Sequence, residues 1–150
     1  MRALIRSGSD LDPLFCFQDG GGWRPLRSHE VSGYIATRAG GHFTAKEFRT
    51  WNATVLMALL LANTGPAPTE RSRKSAITAA VHGVADWLGD TPVVARNSYI
   101  DPMIISRYES GDLTTIPRVS AVLPAAAEAE TAVAALLAAE ITSPEDPAGV

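Results

Sequence analysis

Apolar residues at three- and four-residue intervals, Phe48, Trp51, Val55, Leu56, Leu59 and Leu60, constrain this chain more than any other feature. Only an α-helix brings positions so spaced onto one face. Thr44 precedes the run with Glu47 three residues later, the pattern of a capping box, and Asn63-Thr-Gly65 supplies a stop. The spacing predicts a long, central helix. Lys46, Arg49 and Ala53 fall toward a different side. Arg49 therefore lies near the positive pole of its own helix, where a cation is disfavoured unless an anion answers it. A salt bridge to a nearby carboxylate and a bound anionic ligand both meet that need.

The segments around this helix read as follows. Leu14-Phe-Cys-Phe17 suits a short strand, and Gln18-Asp-Gly-Gly-Gly-Trp23 a turn, with Trp23 and Pro25 expected to close it onto the core. Those glycines lack the lysine and the following helix pattern of a phosphate-binding loop. Ser28-His-Glu-Val31 opens a helix to about Arg38, ended by Gly40-Gly41. Pro66-Ala-Pro-Thr-Glu70 is a loop. Ile77, Ala80, Val81, Val84 and Leu88 then mark a second core helix from about Lys74, stopped by Gly89. Asp90-Thr-Pro92 is the start of a short helix running into Arg96-Asn-Ser-Tyr99. Ile100-Asp-Pro102 breaks that helix and starts another, through Ile104, Ile105 and Tyr108 to Gly111. In the alanine-rich stretch from Pro124 to Ile141, Val133, Leu136 and Leu137 form an apolar stripe for one more helix. The opening residues, Met1 to Asp10, are too short a fragment to assign.

The fold expected is mainly α, with minor β near the N-terminus. Residues 1–141 are expected to form one domain and residues 142–150 a flexible tail. No apolar run is long enough for a membrane span and no signal-peptide pattern opens the chain, so a soluble, cytoplasmic protein is expected. One cysteine, Cys16, and three scattered histidines offer neither an internal disulfide nor a metal-ligand spacing. Cys16 is expected to be buried in packing, and His29 and His82 to be structural. The net charge of −3 argues against nucleic acid until it is divided along the chain. Residues 44–107 carry seven basic and five acidic side chains, and residues 108–150 carry one and seven. The acidity belongs to the C-terminal part, while Arg71-Ser-Arg-Lys74 concentrates positive charge.

Two blocks carry chemistry together. Lys46-Glu-Phe-Arg49-Thr-Trp51 and Leu88-Gly-Asp90-Thr-Pro92 leading to Ser98-Tyr99-Ile-Asp-Pro102 resemble the catalytic core of type IB DNA topoisomerases, most of all the bacterial, poxvirus-like branch. The resemblance implies the compact helical catalytic domain that this family shares with the tyrosine recombinases. It implies Tyr99 as nucleophile and Arg49 as ligand of the scissile phosphate, with no cofactor and no metal. Double-stranded DNA is the partner it implies, in the nucleoid. Lys46 and Arg96 are candidates for neighbouring phosphates or plain solvated side chains. The residue types suit this chemistry, since arginine donates two parallel hydrogen bonds to a phosphate and a tyrosine hydroxyl is a competent nucleophile once activated.

Two departures stand out. Asp90, nine residues before Tyr99, replaces the histidine or asparagine of the family, and an ionised carboxylate cannot donate to a phosphate oxygen. Capping the following helix is its expected role. The family's upstream arginine and its general-acid lysine, borne on a β-hairpin, precede the matching part; Arg2 and Arg6 lie too near the start to fill those roles. The chain is thus expected to be a C-terminal catalytic fragment, whether by gene truncation, a misplaced start or a divided polypeptide, with a separate N-terminal half as a candidate partner. Three alternatives remain: a tyrosine recombinase, which would carry His-x-x-Arg in place of Lys46-Glu-Phe-Arg49; a noncatalytic DNA-binding or protein-interaction domain; and a helical domain in which Tyr99 and Arg49 only pack or pair.

Overall fold

The computed structural model describes residues 13, 15–118 and 127–141. The expectations for Met1 to Asp10, for Leu14 and for the tail from residue 142 lie outside these residues. Among the described residues the fold is mainly helical, with six helices and one two-stranded sheet, as the sequence pattern requires. The chain divides into two units, 1–47 and 48–150.

In the first unit, strands β1 (Cys16–Asp19) and β2 (Gly22–Pro25) pair antiparallel, with Phe17 opposite Arg24 and Asp19 opposite Gly22. Gly22 takes a φ of +124°, a conformation closed to other residues without strain. Arg24 ties the hairpin together: it donates to Asp19, reaches Glu30 at 2.6 Å and lies over the Phe17 ring at 4.0 Å. Helix α1 (Ser28–Ala39) follows, its Glu30 accepting from the Arg27 amide at 2.9 Å. Gly40, in the left-handed region at φ +69°, ends it. Two expectations are corrected here. Trp23 does not close onto a core but is 69% exposed, because its hairpin has no second layer among the unit's described elements. Cys16 is half-buried, with its thiol directed at the Pro13 carbonyl.

Helix α2 (Ala45–Thr64) begins as the capping pattern indicates, with the Thr44 amide donating to Glu47 at 2.6 Å. It is more deeply enclosed than an amphipathic stripe. Every residue from Ala53 to Leu59 is buried, the polar Thr54 included, while Phe48 at its start is exposed. Helix α3 (Glu70–Leu88) starts four residues earlier than expected. Thr69 and Ser72 cap each other's amides, both at 3.1 Å, so the basic run Arg71 to Lys74 lies inside its first turns. Ile77, Ala80, Val81, Val84 and Leu88 all reach the core. Gly83 leaves room for α2: a Cβ there would stand 3.0 Å from Leu60 Cδ1. Helices α4 (Pro92–Ser98) and α5 (Pro102–Ser110), a 3-10 turn (Leu113–Thr115) and α6 (Ala127–Ile141) complete the unit. From α6, Ala129 and Val133 are buried and Leu136 and Leu137 pack beside them, the stripe anticipated. The Tyr108 hydroxyl donates to the buried Gly65 carbonyl at 3.0 Å. No helix among the described residues is long and apolar enough to cross a membrane.

Candidate active site

The C-terminus of α3 sets the site. Gly89, at φ +67°, donates to the Ala85 and Asp86 carbonyls, and the Asp90 amide reaches back to Ala85 at 3.0 Å. This left-handed stop satisfies carbonyls that the helix would otherwise leave open. It also turns Asp90 toward α2. There Arg49 Nη2 donates to the Leu88 carbonyl at 2.8 Å and to Asp90 Oδ2 at 2.6 Å. The arginine disfavoured at the start of its own helix thus answers the negative end of another.

The guanidinium is only partly used. Arg49 Nε is buried with no hydrogen-bond partner, although the side chain as a whole is 41% exposed. Its Cζ lies 5.0 Å from the centroid of the Tyr99 ring, within the range of a cation-π contact. Tyr99 is half-buried against the core and forms the C-cap of α4, where its amide donates to Ala95 at 3.1 Å. Chain direction then changes at Ile100, which is buried. Asp101 caps α5 by accepting from the Met103 amide at 2.9 Å, with Pro102 in the first turn.

The structure therefore brings Arg49, Asp90 and Tyr99 together. Lys46 and Arg96 are both exposed and carry no ion pair to a described residue. Asp90 is not the cap of α4. Thr91 takes that role, its hydroxyl accepting from the Val94 amide at 3.3 Å, which leaves the Asp90 carboxylate free to meet Arg49. Thr54, passed over in the sequence, joins α2 to the Tyr99 segment. Its Oγ1 donates to the Tyr99 carbonyl at 3.3 Å and accepts from the Asp101 amide at 3.2 Å. The signal was available: a hydroxyl inside a continuous apolar block must find partners. Among the described residues no His, Cys, Asp and Glu side chains gather into a metal-binding group. A cleft of about 460 Å³ lies elsewhere, at the far end of α2 between Leu61, Gly65, Tyr108, Ile116 and Arg118, and holds none of these residues.

The family model for the catalytic core of eukaryotic DNA topoisomerase I matches residues 2–111. This chain belongs to that family. The matched span covers well over half of the sequence and includes every residue of the Arg49, Asp90 and Tyr99 cluster. No curated protein matches the chain. Membership in the topoisomerase I family agrees with the mainly helical fold, places the chain's relatives among the isomerases, and gives DNA as the substrate of those relatives.

Proposed function

We propose that this chain carries the cleavage and resealing chemistry of a type IB topoisomerase of the bacterial, poxvirus-like branch. Residues 1–141 are its catalytic portion and nucleoid DNA in the cytoplasm is its substrate. The observation that carries this reading is the Arg49 guanidinium against the Tyr99 ring, with a donor nitrogen still unpaired. In the reaction, Tyr99 Oη bonds to a backbone phosphorus as its proton passes to solvent water, and the bond from phosphorus to the 5′ oxygen breaks. That oxygen departs with a proton from a general acid, leaving a 3′-phosphotyrosyl link and a free 5′ hydroxyl. Arg49 stabilises charge that builds on the nonbridging oxygens. The link conserves the energy of the broken bond, so the reverse step reseals the strand after rotation and needs no ATP.

On this reading the general acid comes from outside the residues of this sequence. The two lysines here, Lys46 and Lys74, both lie on helices, and the β1–β2 hairpin holds none. A further arginine and a hairpin lysine are to be supplied by an N-terminal half, on this reading. The experiment uses a suicide DNA duplex whose scissile 5′ oxygen is replaced by sulfur, because a thiolate leaves without a general acid. The chain alone forms a covalent adduct with the sulfur-bridged duplex, and needs a lysine-bearing half from a related enzyme to act on ordinary DNA. Tyr99→Phe abolishes both adducts. Failure on sulfur-bridged DNA sinks the catalytic reading. It would leave a noncatalytic DNA-binding relative, the reading favoured by the carboxylate already seated on Arg49.

A further inference from the structure

We infer that Thr54 is a positioning residue for Tyr99, an inference that rests on the catalytic reading above. Thr54 is the buried polar side chain of the core among the described residues, at 2% exposure. Its hydroxyl bonds the backbone to either side of Ile100, donating to the Tyr99 carbonyl and accepting from the Asp101 amide. This is the link between α4 and α5, where the Tyr99 and Ile100 amides still reach back to the Ala95 carbonyl while the Tyr99 carbonyl and the Asp101 amide turn to Thr54. Thr54 follows Arg49 by five residues on α2, a rise of about 7.5 Å. One rigid helix thus fixes both the cation for the phosphate and the main chain that aims the nucleophile.

A group displaced by about 1 Å can lose a factor of about 100 in rate. Removing the hydroxyl frees the Tyr99 carbonyl and leaves the Asp101 amide unpaired in a partly buried place, so the link must shift to find other partners. The ring then leaves its register with Arg49 while the DNA-binding surface is unchanged.

The test compares Thr54→Val, which keeps the volume, with Thr54→Ser, which keeps the hydroxyl, on sulfur-bridged DNA in single turnover well below each melting temperature. Thr54→Val is expected to slow adduct formation about 10- to 100-fold at saturating DNA with the half-saturating concentration unchanged, and Thr54→Ser to stay within about threefold of the parent. If Thr54→Val does not fold, Thr54→Ala set against Thr54→Ser makes the same comparison. Equal rates for Thr54→Val and the parent, or a loss that serine does not restore, would overturn the positioning role and leave the catalytic reading standing. A parent chain that forms no adduct overturns both.

Discussion

The Arg49 guanidinium and the Asp90 carboxylate meet at 2.6 Å through Nη2 and Oδ2, so the cation proposed to hold a phosphate already holds an anion of this chain. Both side chains are partly exposed, 41% and 27%, and a pair in that setting contributes about 1 kcal/mol or less to stability. A phosphate must displace the carboxylate or share the arginine with it, against its repulsion. Asp90→Asn is expected to cost little stability and to speed adduct formation on sulfur-bridged DNA about tenfold, because a neutral amide releases Arg49 and can itself donate. A slower rate in single turnover would mean that Asp90 orients the arginine instead of masking it.

Arg49→Ala removes the positive charge beside Tyr99 and should slow adduct formation by about 10² to 10³ at saturating DNA, the usual loss for one donor to a developing oxyanion. Arg49→Lys should restore only part of it, since an ammonium cannot offer the planar pair of donors. Rate constants for the three chains, with melting temperatures alongside, decide the matter.

The hairpin and α1 should respond to acid. The Gly21 amide, then Arg24, holds the Asp19 carboxyl below its ordinary 3.8. The Arg27 amide, then Arg24, holds Glu30 below 4.5. Both groups bind protons more weakly folded than unfolded, so their stabilisation is complete above those ordinary values and is lost as pH falls through the lowered ones. Trp23 fluorescence followed from pH 6 downward should report the loosening. Arg24→Ala should weaken this pH dependence without removing it, because the amide donors of Gly21 and Arg27 remain.

Two glycines should respond to alanine with opposite signs. Gly89 sits at φ +67°, and a Cβ in the left-handed region costs about 1–2 kcal/mol. Gly33, inside α1 with nothing within 4 Å of a Cβ, should gain about 0.5–1 kcal/mol as alanine. Denaturant unfolding of the two variants measures both.

Much of this was legible in the sequence because the determinants are local. Gly40, Gly89 and Gly111 end helices in the left-handed conformation, and Pro92 and Pro102 open them. The apolar spacing of Ile77 to Leu88 emerged as the buried side of α3. What escaped depends on neighbours distant in the chain. Asp90 followed by Thr91 offers two caps in succession. The choice of Thr91 turns on Arg49, far off in sequence, claiming the carboxylate. Likewise, the apolar block around Thr54 shows that its hydroxyl needs partners but not that they lie in the link after Tyr99. The first-unit side chains disappointed a burial rule for the same reason: Trp23 and Cys16 are apolar or soft in type, but the described part of their unit offers no layer to cover them.

The unbroken burial of α2 from Ala53 to Leu59 also bears on how this molecule comes apart. Amides in such a segment exchange their hydrogens for deuterium only when the whole unit opens, whereas short helices and their joints exchange through small local excursions. Arg49 stands one turn before this enclosed segment on the same helix and Tyr99 in a joint between two short helices, with the buried Thr54 hydroxyl as the stitch between α2 and that joint. On the catalytic reading proposed above, loosening that stitch frees the tyrosine to lose its aim while the arginine stays in place, so local opening of the joint silences the nucleophile before the helix that carries the cation is disturbed.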